Sequence, residues 1–223
     1  MLRRAAPLLA LAGTAAALAA CGGGGATTSS GASLPAGCRE VHKPPPKTRQ
    51  LKRPKQTVVR GEKLTAAVET SCGRFDIRLD TSTSPKTVNS FAYLARKGFY
   101  DDTTFSRIVP GFVIQGGDPL QNGTGGPGYT VIEPPPPNAT YRMGTVAMAR
   151  TQLSPPGESG SQFFVVTAAD AGLTHYAILG KVSSGLDVVK RIGTLGDPAS
   201  GDKGTPLATV VIRRITVRGG RGA

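Results

Sequence analysis

The segment from Phe105 to Gln115 reads Phe-Ser-Arg-Ile-Val-Pro-Gly-Phe-Val-Ile-Gln, and it leaves the backbone little choice. Phe105, Ile108, Phe112 and Ile114 are strand formers on either side of Pro110-Gly111, a strong turn pair, so the run predicts a β-hairpin. Arg107 sits in the middle of it. A guanidinium does not shed its charge on burial, so on a half-buried strand it needs a partner carboxylate or a task. The hairpin register places Gln115 beside it on the neighbouring strand, with Phe112 as an aromatic wall.

The rest of the chain is consistent with a β protein. Thirty glycines and eighteen prolines in 223 residues imply many turns. Strands are predicted at Leu64–Thr70 and Gly73–Leu79, near Thr145–Ala149, at Phe163–Val166 and Ala177–Val182, and from Thr209 to Val217. Two short helices interrupt them. Ser84 is the expected N-cap of the first, with Pro85 at its first position and Val88, Phe91 and Leu94 at helical spacing. Leu186, Val189 and Ile192 mark the second, which ends at Gly193. With the hairpin, the strands number eight.

The amino terminus reads as a targeting device. Met1-Leu2-Arg3-Arg4 is a basic start, Ala5 to Ala17 is an apolar run too short to span a bilayer, and Leu18-Ala19-Ala20-Cys21 resembles a bacterial lipobox. Residues 1–20 are thus expected to be a lipoprotein signal peptide and Cys21 the lipidated first residue of the mature chain. A plain secretory signal or a short anchor is the alternative. The two remaining cysteines, Cys38 and Cys72, make an even pair for an oxidising compartment, either bridged or as free thiols, with the bridge the simpler reading.

Residues 21–63 read as a tether, flexible and then basic and proline-rich. From Arg39 to Lys63 there are nine basic residues against Glu40 and Glu62, more than half of the chain's net charge of +13. Pro44-Pro45-Pro46 and Pro54 favour an extended polyproline conformation. Such an arm is expected either to be a solvated linker or to meet anionic wall polymers or lipid heads. It lacks the interleaved aromatics of a nucleic-acid binder, and export removes that partner. Residues 219–223 read as a disordered tail.

Two blocks carry a family resemblance. Phe105 to Asp118 matches F-x-R-x-x-P-G-F-x-x-Q-G-G-D, and Gly160-Ser161-Gln162-Phe163-Phe164 follows Gly144-Thr145-Val146-Ala147-Met148-Ala149-Arg150 at the same distance as in cyclophilins. The chain from about Leu64 to Arg218 therefore resembles a cyclophilin-type peptidyl-prolyl cis-trans isomerase. The resemblance implies an all-β fold, a closed eight-stranded antiparallel barrel with a short α-helix at each end, over residues 64–218. It implies an isomerase of proline-containing polypeptides that needs no cofactor and no metal; taken with the amino-terminal signal, its substrates are expected to be exported polypeptides at the outer face of the membrane, and nothing in the sequence suggests more than a monomer. It assigns Arg107, Phe112 and Gln115 as catalytic, and Val113, Ala149, Arg150, Gln162, Phe164, Leu173 and Tyr176 as substrate-binding, with Ala149 and Arg150 on a strand that pairs with the peptide. Read without the motif, Phe112 and Phe164 are ordinary core aromatics.

There are departures from the family pattern. Tyr176 stands where many members have His, Gly172 where many have Trp, and the loop through Leu173 to His175 is about one residue short, which predicts weak cyclosporin binding with catalysis retained. Competing chemistry lacks its residues: His42 and His175 are far apart in sequence, and no nucleophile elbow or phosphate-binding loop is present. The rival reading is a cyclophilin-fold binding module or holdase at the cell wall, catalytically weak.

Overall fold

A computed structural model describes residues 34–220. The expected signal peptide, Cys21 and the start of the tether lie outside these residues, as do residues 221–223. Eleven strands and two helices follow one another as β1 (Leu64–Thr70), β2 (Gly73–Leu79), α1 (Pro85–Arg96), β3 (Thr103–Thr104), β4 (Arg107–Val109), β5 (Val113–Gly116), β6 (Val131–Ile132), β7 (Thr145–Met148), β8 (Glu158–Ser159), β9 (Phe163–Val166), β10 (Ile178–Ser184), α2 (Leu186–Gly193) and β11 (Val211–Gly219). A kinked 3-10 segment, Pro198–Lys203, precedes β11.

Nine strands form one antiparallel sheet in the order β3-β11-β1-β2-β10-β7-β9-β5-β4. The two strands at the ends of that order, β3 and β4, are separated in the chain only by Phe105 and Ser106, so the sheet curls back on itself. A bridge between Thr104 and Asp118 ties the seam. The expected eight strands become nine because this one run is interrupted. β6 and β8 pair separately in a two-stranded ribbon that the sequence did not announce, and Gly219, expected in the tail, pairs with Leu64 at the end of β11.

Inside the curl lies an aromatic core. Phe91, Tyr100, Phe105 and Phe163 meet edge to face or tilted, with ring centroids 5.1–6.1 Å apart, an arrangement favoured by the ring quadrupoles. Strands β5, β7 and β9 are buried on both faces. Ile114, Val146, Met148, Phe163 and Val165 point into this core. Val113, Ala147, Phe164 and Val166 point the other way, into a second apolar cluster with Phe112, Leu173 and Tyr176. That second cluster is the floor of the site.

Helix α1 has its capping supplied from a distance. Ser84 occupies the expected N-cap position, but its hydroxyl makes no capping bond. The Glu133 carboxylate instead accepts from Lys86 N at 3.2 Å and Thr87 N at 2.7 Å, an anion at the positive end of the helix. Just beyond the other end, Arg49 donates to Gly98 O at 2.6 Å and Lys97 O at 2.9 Å.

Arg49 belongs to the segment expected to be a tether, and here the structure corrects the sequence. The packed unit starts at Leu34, not at Leu64. Residues 38–59 have no helix or strand and, with a turn at Arg60-Gly61, lie against the domain as a strap, with half-burial recurring at Cys38, Val41, Pro44 and Lys47, the threefold period of polyproline II. Cys38 is bridged to Cys72 with an S–S distance of 2.03 Å. Farther along, the Asn89 amide grips the strap, accepting from Thr57 N and Val58 N and donating to Lys55 O, and Val58 is buried in the core. The basic character of the segment misled: half-buried Lys47 and Arg49, and Arg60 at the surface, donate to backbone carbonyls of the domain.

Candidate active site

The hairpin forms as its turn chemistry predicts. Gly111 adopts φ 68° in the turn, and Arg107 and Gln115 are direct cross-strand partners on β4 and β5. Arg107 Nη1 donates to Gln115 Oε1 at 3.4 Å, and its Nε donates to Asp202 O of the 3-10 segment at 2.9 Å. Gly204 makes room for that approach, since a Cβ there would lie 2.9 Å from Arg107 Cγ and 2.7 Å from Val109 Cγ2. Among the described residues no carboxylate lies within 4.0 Å of the guanidinium, and Nη2 has no protein partner.

Arg107 lines a cleft of about 350 Å³ with Phe112, Val113, Gln115, Ala149, Arg150, Thr151, Gln152, Phe164, Leu173 and Tyr176. Nine of the ten expected site residues are therefore gathered around one hollow. Gln162 stands behind it, where its Oε1 accepts from Gln115 Nε2 at 3.0 Å. It lines a smaller recess of about 140 Å³ that shares Gln115, Ala149, Arg150 and Thr151 with the cleft. Ala149 and Arg150 lie just past the end of β7 rather than on it, although Ala149 N still donates to Gln162 O at 2.8 Å in the register of the β7–β9 ladder.

The apolar wall is built by stacked rings. Phe164 and Tyr176 meet edge to face at 5.2 Å, and the Arg150 guanidinium lies over the Tyr176 ring at 5.3 Å. Beneath them, buried Tyr141 clamps the backbone of Tyr176: its hydroxyl donates to Tyr176 O at 2.6 Å and accepts from Tyr176 N at 3.1 Å. Burial pushes the Tyr141 hydroxyl above its ordinary pKa. Tyr141, Thr151 and Gln152 are site residues that sequence reasoning missed. Thr151 and Gln152 extend the predicted Ala149-Arg150 along the cleft, whereas nothing in the local pattern marks Tyr141, which supports the wall from beneath only through the fold.

A larger cavity of about 790 Å³ opens elsewhere, around Lys63, Arg78, Arg142 and Lys181. It shares no residue with the cleft and has no aromatic wall to receive a ring. Among the described residues there is no group of three His, Cys, Asp or Glu side chains placed to hold a metal.

An uncommitted guanidinium edge beside an apolar, aromatic-walled hollow is suited to a small ring attached to a polar amide. Comparison with known proteins points to the same group. Residues 65–217 match the family described as cyclophilin type peptidyl-prolyl cis-trans isomerase/CLD. The chain belongs to the cyclophilin family. It is 38% identical over 175 residues to peptidyl-prolyl cis-trans isomerase B of Streptomyces anulatus, covering 70% of this chain and 97% of that one. It is 40% identical over 121 residues to the isomerase B of Bacillus subtilis, covering 53% and 82%. A crystal structure of a Cryptosporidium parvum cyclophilin, determined in the presence of the dipeptide Ala-Pro, superposes with a TM-score of 0.62 at 29% identity over 70% of this chain and 99% of the other. The protein is thus a peptidyl-prolyl isomerase of the cyclophilin type, with proline-containing polypeptides as its substrates. The strap precedes the part of the chain that matches the family.

Proposed function

We propose that this cyclophilin turns X-Pro bonds in exported polypeptides at the outer face of the membrane, held there by a lipid on Cys21, with Arg107 as its catalytic donor. Rotation about an X-Pro bond is slow because amide resonance must be lost. No nucleophile, metal or cofactor is required; the catalyst has to bind the twisted amide more tightly than the planar one. In the twisted form the prolyl nitrogen becomes pyramidal and gains a lone pair. Arg107, fixed through Nε and Nη1, offers its remaining N–H groups to that lone pair, so it stabilises the twisted form selectively. Phe112, Val113, Phe164, Leu173 and Tyr176 hold the proline ring, Gln115 orients the arginine, and Ala149, Arg150 and Gln162 flank the peptide. A barrier lowered by about 7 kcal/mol corresponds to roughly a 10⁵-fold acceleration, within reach of a preorganised charged donor combined with positioning.

The uncommitted edge of Arg107 is the observation that carries this reading, because a pure binding module has no use for it. The location rests on the lipobox-like Leu18-Ala19-Ala20-Cys21, and the Cys38–Cys72 bridge supports an oxidising compartment. Arg39, Lys43, Lys52, Arg53, Lys55 and Lys63 remain exposed on the strap, where anionic lipid heads or wall polymers can meet them. Fractionation of cells with an Ala-Pro peptide assay tests activity and location together. Isomerase activity should sediment with membranes and move to the soluble fraction in Cys21→Ser. Activity that is soluble in both strains removes the anchor, and none in either removes the enzymatic reading.

A further inference from the structure

The strap reaches the active site through a loop and two amides. Lys47 N donates to Pro119 O and Leu51 N to Pro127 O, both at 2.8 Å, so the strap is bonded to both ends of the loop between β5 and β6. Between these points Gln121 Nε2 donates back to the strap carbonyls of Pro44 at 3.0 Å and Pro45 at 3.4 Å. The buried Asp118 carboxylate shapes the loop from within, accepting from Leu120 N, Asn122 N and Gly123 N at 2.5–2.9 Å. The loop then turns two carbonyls inward: Gly123 O and Gly125 O both accept from Gln162 Nε2, at 3.0 and 2.9 Å.

Those two carbonyls can only accept, which fixes the polarity of everything beyond them. The Gln162 amide must turn its NH₂ to the loop and its oxygen to Gln115. Gln115 must therefore present NH₂ to Gln162 and its own oxygen to Arg107. With the loop withdrawn, that polarity rests on the single 3.4 Å bond from Arg107, and a flipped Gln115 would point N–H groups at a guanidinium that has only N–H groups to offer.

On the reading of the site given above, we propose that residues 44–51 of the strap are a positioning element for catalysis: they hold the 119–127 loop so that its carbonyls orient Gln162 and Gln115 to present an acceptor to Arg107. The strap's effect then belongs to turnover rather than to peptide binding, since the planar substrate is held by the apolar wall.

The test is a double-mutant cycle in the full mature chain, with Lys47→Pro breaking the strap side and Gln121→Leu the loop side. Proline suits a segment already extended and removes only the backbone donor and the Lys47 amine. Each variant should lower kcat on an Ala-Pro peptide about three- to ten-fold, the worth of roughly one hydrogen bond, with KM unchanged. In a Gln162→Ala background, which already lacks the relay, neither should lower it further. The side-chain amide resonances of Gln115 and Gln162 should also shift in both variants without substrate. Equal losses in both backgrounds, or unmoved amide resonances in variants that remain folded by thermal melting, overturn the coupling. A wild-type chain with no turnover overturns instead the catalytic reading on which the coupling rests, while the resonances still report on the relay.

Discussion

Tyr100 carries its hydroxyl into the aromatic core, where the oxygen is fully buried and finds no hydrogen-bond partner among the described residues. Leaving a polar atom unpaired costs about 1–3 kcal/mol, so Tyr100→Phe should keep or raise stability at pH 7, as measured by denaturant unfolding. Burial also pushes this phenol well above its ordinary pKa. The folded chain therefore keeps the proton that the unfolded chain sheds near pH 10, and the stability this represents is present below that pH and lost as pH rises through the native value. The variant should consequently show a shallower loss of stability above pH 10 than the wild type; an equally steep loss would show that Tyr100 is not its source. At this scale the sequence was legible where chemistry was out of place. Arg107 stood out as a cation on an apolar hairpin, and the register gave Gln115 as its neighbour. Tyr141 did not stand out, because a tyrosine between a polyproline run and a short strand looks like any other until the fold sets it under Tyr176.

Among the elements, the hairpin, both helices and the long strands were readable because their signals are local: a Pro-Gly turn, apolar residues at helical spacing, alternating β-formers. The caps of α1 were not, since Glu133 reaches Thr87 across 46 positions and Arg49 reaches Gly98 across 49, farther in sequence than any local rule extends. The strap was misread for a related reason. Its charge and prolines describe a free polycation, yet nothing local records that Lys47 and Arg49 meet backbone carbonyls or that Asn89 grips the chain near Val58. The Cys38–Cys72 bridge, 34 residues apart in sequence, staples the start of the strap to the β1–β2 turn. Closing such a loop restricts the unfolded chain by roughly 3 to 4 kcal/mol. Replacing both cysteines by serine should lower the melting temperature by about 10 °C for a domain of this size. A melting temperature unchanged in calorimetry would mean that the strap is held by its hydrogen bonds alone.

For the whole molecule, the sheet is curled around one core and floored by a second. This explains why the two-sided strands β5, β7 and β9 lack clean alternation in the sequence, and why Phe112 and Phe164 could be told from core residues only by the family motif: Phe164 is in fact buried, and it serves as wall and packing at once. Fold and function converge on the outer face of those strands, where the apolar floor meets a guanidinium edge of Arg107 that has no partner among the described residues. The central claim is that this edge stabilises the twisted imide. Exchange spectroscopy on an Ala-Pro peptide, comparing kcat for wild type and Arg107→Ala, tests it directly. The account predicts a fall of about 10²- to 10³-fold in kcat, as for loss of one preorganised donor, with KM changed by less than about three-fold. Equal turnover in the two proteins would contradict it.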